Sequence, residues 1–286
     1  MSASILKQHM ANARYILAAN PLNIVALALF SLIVLAAVFG GVLAPHDPLA
    51  TNAAHVLQPP SADFWFGTDQ LGRDIFSRVL VATRLDLTIA FGAVTLSCII
   101  GSLIGAMVGY WGGMGDTVVS RFVDVLMAFP LFVLAMGLVA ALGNSVINII
   151  YATAIINLPF YIRLCRSEVR VRRHLTYIEA AKVGGSSDFR ILTRFLLPNI
   201  AAPIVIQASV NLGWAVLNAA GLSFLGLGVR PPTPEWGILV AEGAKFVMSG
   251  EWWVALFPGL ALMITVFTFN LLGDTLRDLL DPRMRT

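Results

Sequence analysis

Charge is scarce in this sequence. Asp, Glu, Lys and Arg make up 12% of its 286 residues, about half the share of a soluble domain, while 58% are hydrophobic. This excludes an ordinary water-soluble globule, because too little polar surface exists to cover so much apolar side chain. The formal charge of +3 is too small to indicate a nucleic-acid partner. Cysteine is nearly absent: Cys98 and Cys165 lie far apart in apolar sequence, as packing residues do, and indicate neither a disulfide nor a metal pair. No G-x-x-x-x-G-K-[ST] phosphate loop and no H-E-x-x-H metal motif is present, and no low-complexity tract or soluble-repeat period occurs.

Long uncharged runs are what the chain has in abundance. The run from Leu22 to Ala44 follows Lys7 and Arg14 but exceeds the h-region of a signal peptide, so it reads as an uncleaved first span. Between Asp124 and Arg163 lie about 38 uncharged residues, about 57 Å as one helix and nearly twice the hydrocarbon thickness. Two helices are needed there, and Gly143-Asn144 is the turn-prone break. The reading is an all-α membrane protein with six transmembrane helices at about 22–44, 87–110, 121–142, 145–163, 199–221 and 252–274. Residues 1–21 form an N-terminal segment and 22–286 the membrane domain.

Lysine and arginine placement sets the orientation. With both ends on one side, that side carries the cluster Arg163, Arg166, Arg170, Arg172, Arg173, Lys182, Arg190 and Arg194, and it is expected to be cytoplasmic. The other side holds Arg73, Arg78, Arg84, Arg230 and Lys245. There, Ile75, Phe76, Val79 and Leu80 recur at helical spacing beside arginines, predicting a helix lying in the interface before the second span.

Several residues stand out within this frame. Gly101, Gly105, Gly109 and Gly113 make a small-residue ridge, expected to pack against another helix of the same chain rather than against a partner. Arg121 and Asp124 share a helix face and can pair, as a structural ion pair or as a gate. Gln207, Asn211 and Asn218 are polar within the fifth span, where they either join helices or line a wet solute path.

The basic segment 164–198 is longer than a connection between spans requires. It contains Glu179-Ala180-Ala181, then Gly185, then Leu197-Pro198-Asn199, with Phe195 where such patterns commonly carry Ile. Ala and Glu favour a short helix, Gly permits the turn that ends it, and Pro198 marks the start of the next span. This arrangement resembles the EAA loop of ABC importer permeases. Further motifs resemble the second permease of dipeptide, oligopeptide and nickel importers: Gly67-Thr68-Asp69 to Gly72-Arg73-Asp74, Gly221-Leu222-Ser223-Phe224-Leu225-Gly226-Leu227-Gly228, Pro231 to Gly237, and Asn270 to Asp274 with Asp281-Pro282.

The resemblance implies a type I ABC importer permease fold in a bacterial inner membrane, with both termini cytoplasmic. It also implies a second homologous permease as partner, two ATPase subunits carrying ATP and Mg, and an extracytoplasmic solute-binding protein. Glu179, Ala180, Ala181, Gly185, Leu197 and Pro198 would then form the element that docks on an ATPase.

Two rival classes are weaker. An intramembrane serine protease built on Gly221-Leu222-Ser223 needs a base at membrane depth, whereas His9, His46, His55 and His174 all lie outside the expected spans. A self-contained secondary transporter needs coupling carboxylates at midplane, whereas the acidic residues fall at span borders. Because the chain lacks a phosphate loop, the polypeptide purified alone is expected neither to bind nor to hydrolyse ATP; equilibrium binding of a fluorescent nucleotide checks this, and saturable binding would contradict it.

Overall fold

The computed structural model describes residues 20–280. The expected N-terminal segment up to Ala19, with Lys7, His9 and Arg14, lies outside the described residues, as do Asp281-Pro282 and the basic tail after them. Nine principal helices carry the fold: α1 (Pro21–Leu43), α2 (Ile75–Trp111), α3 (Gly113–Ala128), α4 (Leu131–Leu142), α5 (Val146–Arg172), α6 (Thr176–Val183), α7 (Ala201–Phe224), α8 (Trp236–Ala244) and α9 (Trp253–Leu280). Five of them, α1, α2, α5, α7 and α9, are each long and apolar enough to cross a membrane. The pair α3 and α4 passes the same test together, bent by 93°, which brings the number of spans to six if the pair counts as one.

Local chemistry starts and stops these helices. Asn20 caps α1 by accepting from the Leu22 amide, with Pro21 in the first turn, where a missing N–H is harmless. Asp74 caps α2 by accepting from the Ser77 amide and hydroxyl at 3.0 and 2.6 Å. Gly112 and Gly113, both at positive φ, turn the chain from α2 into α3. Gly143 (φ +92) ends α4, and Ser145 caps α5, so the break expected at Gly143-Asn144 is present.

The most extensive helix pair is α2 against α5. A Cβ on Gly101 would lie 2.7 Å from Tyr161 Cβ, one on Gly109 would lie 2.7 Å from the Arg166 carbonyl, and one on Gly105 would collide with the Ile162 carbonyl. The ridge therefore packs inside the chain, as its spacing suggests. It has three members rather than four, because a Cβ on Gly113 meets nothing within 4 Å and that residue serves the turn. Elsewhere α7 packs on α9, α8 is wedged against both, and α1 covers α2 and α9.

Two expectations are corrected. No separate interfacial helix precedes the second span: α2 is continuous for 37 residues from Ile75. The arginines that suggested an interface do not force the helix outward, because Arg78 is fully buried and neutralised by carboxylates. The stretch expected as one span over 121–142 is instead broken at Phe129-Pro130, where Phe129 takes the extended conformation a following proline favours. The helices continue past several expected borders, α5 to Arg172 and α9 to Leu280.

The α2–α5 seam yields a direct test. Gly105→Val is expected to force the helices apart and cost about 1–3 kcal/mol by overpacking, whereas Gly115→Ala, whose Cβ meets nothing within 4 Å, is expected to be neutral. Thermal melting of the two variants in the same detergent is the measurement, and equal melting temperatures would show that the seam is not tight.

Candidate coupling loop and polar sites

After α5 the chain forms α6, which contains Glu179, Ala180 and Ala181. Its end is a Schellman motif: the Gly185 amide donates to the Lys182 carbonyl and the Ser186 amide to the Ala181 carbonyl, both at 3.0 Å. Gly184 has φ −70 and is helical in sign, whereas Gly185 has φ +75. A Cβ on Gly185 would meet nothing within 4 Å, so its constraint is backbone conformation and not space.

From Ser187, which caps a short turn at Asp188–Arg190, the chain passes through a π-helical stretch (Ile191–Leu196) and the turn Leu197–Asn199 into α7. Pro198 thus stands just before α7, the fourth of the five long helices. Ile178, Ile191, Leu192 and Leu196 are buried together with Ala106, Tyr110, Cys165 and Val169, and Phe195 packs against the same cluster, filling the place where such loops commonly have Ile.

Polar contacts pin this loop to the end of α2. Arg173 donates to the Gly109 and Tyr110 carbonyls at 3.2 and 2.9 Å, satisfying acceptors that a helix terminus leaves open. Tyr110 donates to Asp188 at 2.6 Å and the Trp111 indole does so at 3.4 Å. These donors hold the Asp188 carboxyl below the usual carboxylate range. The Lys182 ammonium lies 5.5 Å from the centre of the Tyr110 ring.

The loop exposes large apolar side chains among its charged ones. Glu179 and Ala180 are exposed, Val183 is 91% exposed and Phe189 73% exposed. These side chains lie among the arginines of segment 163–194, a setting unlike the lipid-facing faces of the long helices.

The other sequence-selected residues separate into distinct places. Arg121 and Asp124 do approach, at 3.8 Å, but Asp124 has a closer partner on α5, Arg163 at 2.7 Å. All three are half or more exposed, so these pairs contribute little stability. Nearby, Asp116 is held by both Arg166 and Arg170, tying α3 to α5. Asn211 and Asn218 are buried: Asn218 donates to Thr153 of α5 at 3.4 Å, and Asn211 accepts from Gln207 at 2.9 Å. Gln207 alone of the three remains partly exposed. Cys98 and Cys165 are free thiols, the second fully buried.

Sequence reasoning missed a buried charge network. Asp69 accepts from Arg73 at 2.7 Å and from Arg78, and Glu242 of α8 accepts from Arg73 at 3.2 Å and lies 3.4 Å from Arg78. Two cations and two anions close a neutral quartet that binds the segment before α2 to α8. The signal lay in the Gly67-Thr68-Asp69 to Gly72-Arg73-Asp74 motif, whose glycines at positive φ fold Asp69 back onto Arg73.

Comparison with known proteins agrees with this architecture. Residues 101–286 match the family described as the binding-protein-dependent transport system inner membrane component, and residues 10–60 match the N-terminal TM domain of oligopeptide transport permease C. The chain is 44% identical to the dipeptide transport system permease protein of Alkalihalophilus pseudofirmus, over 93% of this chain and 88% of that protein. It is 42% identical to the glutathione transport system permease protein of Pectobacterium atrosepticum, over 92% and 87%. It is 40% identical to the di/tripeptide transport system permease protein of Pseudomonas aeruginosa, over 89% and 86%. With an all-helical membrane fold and a match over most of its length, the chain belongs to the inner-membrane permease family of binding-protein-dependent transport systems, the membrane-spanning subunits of ATP-driven importers.

Proposed function

We propose that this permease forms half of the translocation path for small peptides or peptide-like solutes in a bacterial inner membrane. Its partners are a second homologous permease, two ATPase subunits that bind ATP and Mg, and an extracytoplasmic binding protein that delivers the solute. The observation that carries the docking assignment is the 164–198 loop: a short helix closed by a Schellman turn and rooted in an apolar cluster presents Val183 outward, and the turn after it presents Phe189, both within a basic segment. Apolar side chains so exposed in a charged setting are suited to a protein groove. The peptide class is supported by relatives whose names specify dipeptide, di/tripeptide and glutathione transport.

In this reading Glu179, Ala180 and Ala181 line the docking face, Gly185 fixes the end of the helix, and Leu197-Pro198 pass motion into α7. The loop and both termini are cytoplasmic, and the Arg230 to Glu251 segment, which includes α8, faces the opposite side. Single cysteines at Val183 and Met248, both more than nine-tenths exposed, are introduced into a background lacking the native pair. In spheroplasts an impermeant thiol reagent should label Met248→Cys and spare Val183→Cys. In inverted vesicles Val183→Cys should label, and adding back ATPase subunits to stripped vesicles should block it. Labelling of Val183→Cys in intact spheroplasts would reverse the topology, and unaltered labelling with the ATPases bound would remove the docking assignment.

The capping geometry generates a second test. A β-branched residue at the positive φ of Gly185 costs on the order of 1–3 kcal/mol of local strain, whereas Gly184→Ala stays in an ordinary helical region. In the reconstituted complex, Gly185→Val is expected to lower solute uptake and binding-protein-stimulated ATP hydrolysis by roughly tenfold or more, a loss of about 1.4 kcal/mol in coupling, with membrane insertion intact. Gly184→Ala is expected to be mild, and full coupling in Gly185→Val would exclude this loop as the transmission element.

A further inference from the structure

Where α8 begins, two carboxyl groups are buried face to face. Asp86 of α2 is 1% exposed and Glu235, which caps α8, is 0% exposed. Each uses one oxygen on the α8 terminus: Asp86 Oδ2 accepts from the Trp236 amide at 3.2 Å, and Glu235 Oε2 accepts from the Ile238 amide at 2.9 Å. The second oxygens, Asp86 Oδ1 and Glu235 Oε1, have no hydrogen-bond partner, and the two carboxyls act on each other.

Beside them the hydroxyl of Ser223 on α7 is turned toward Glu235, is buried, and has no settled partner of its own. The Gly228 backbone seals the place so closely that a Cβ there would collide with Ser223 Oγ. Among the described side chains, three buried oxygens meet here without a hydrogen-bond partner, and no basic residue forms an ion pair with either carboxyl.

The charged groups that act on the pair are the two carboxyls themselves, and Arg84, two residues before Asp86 on α2, is exposed. From α2 the pair receives Asp86, from the cap of α8 it receives Glu235, and from α7 only the uncharged Ser223. The nearest arginine along α2 toward its outer end that is likewise buried, Arg78, lies eight residues earlier, about 12 Å away by helical rise. Its guanidinium is occupied by Asp69 and Glu242. Two ionised carboxylates in such a place would each leave one oxygen without a donor and repel the other, whereas one neutral acid supplies the missing hydrogen between them. The single negative charge that remains sits at a helix N-terminus, where the macrodipole favours it.

We propose that Asp86 and Glu235 form a one-proton site that holds α8 against α2, with Ser223 as its third polar wall. In the closed state the neutral acid's O–H donates to the carboxylate of its partner. When α8 lifts from α2, both groups meet water, both ionise, and the proton passes to solvent. Closing takes it up again. The site does not depend on which solute the permease carries or on where the ATPase docks, so it stands or falls separately from the assignments above.

The sign of the pH dependence follows from the proton count. Burial holds the Glu235 carboxyl above its usual range, so between the ordinary carboxylate pKa and that raised value the closed state binds one proton more than the open state. Opening of α8 is therefore favoured about tenfold per pH unit as pH rises through this window, and stops changing above it.

The test uses the assembled permease complex in lipid nanodiscs. Hydrogen exchange across α8, expressed as protection after correction for the intrinsic exchange rate, should fall about tenfold per pH unit in the native protein. The slope should vanish in Asp86→Asn and in Glu235→Gln, where an amide replaces the neutral acid and donates to the remaining carboxylate. Infrared spectroscopy supplies a readout that needs no variant to assemble: a protonated carboxyl C=O band should be present in the native complex at neutral pH and lost in each single variant. A flat native protection profile, absence of the acid band at neutral pH, or a slope that survives in both variants would each overturn the proposal. Protection that follows sodium concentration instead of pH would also overturn it, assigning the site to a metal cation rather than a proton.

Discussion

The seam between α2 and α5 sets the position of everything that follows it in the chain. Gly101, Gly105 and Gly109 let the two backbones approach until no Cβ could be inserted. In lipid, burial of apolar side chains drives little association between helices, so close backbone contact and dispersion must supply it. Because α5 continues to Arg172, the same seam fixes where the basic segment leaves α5. Because α2 ends at Trp111, it also fixes the terminus on which that segment comes to rest. Arg173 and Asp188 meet the α2 terminus only because the three glycines have brought α5 alongside it.

Much of this was legible without coordinates. Uncharged runs and glycine spacing locate the long helices and the α2–α5 contact, since both signals depend on what lipid excludes and on side-chain size. Gly185 could be chosen over Gly184 because helix termination needs one residue at positive φ, and the motif spacing identified which. The glycine at 113 misled for the same reason: its spacing continues the ridge, but its neighbour Gly112 turns the chain first. The Phe129-Pro130 break was legible from proline in principle and was obscured by the apolar run on both sides.

Buried charge was not legible. Arg73, Arg78 and Asp86 read as border residues because an isolated charge in an apolar setting is costly. That cost disappears when partners far along the chain arrive, and Glu242 and Glu235 lie about 150 or more positions away from the groups they meet. Sequence spacing carries information about neighbours on one helix, whereas these partners come from α8, whose position depends on α7 and α9. Asn211 and Asn218 show the same limit: their shared face was evident, but only the packing of α7 on α5 shows Asn218 meeting Thr153.

The ion quartet and the 164–198 loop grip opposite ends of α2. A buried ion network adds little net stability compared with a well-packed apolar core, yet removing one partner leaves an uncompensated charge at a cost of about 3–5 kcal/mol. Its effect is therefore to forbid partial separation: Asp69, Arg73, Arg78 and Glu242 either stay together or come apart at a cost comparable to a large core mutation. At the other end, Arg173, Tyr110 and Asp188 join the loop to α2 through partly buried hydrogen bonds, backed by the apolar cluster around Ile178 and Ile191. A displacement of α2 that keeps the quartet intact carries α8 with it, because α2 is unbroken from Ile75 to Trp111. One continuous helix thus links the joint that holds α8 to the joint on which the loop rests.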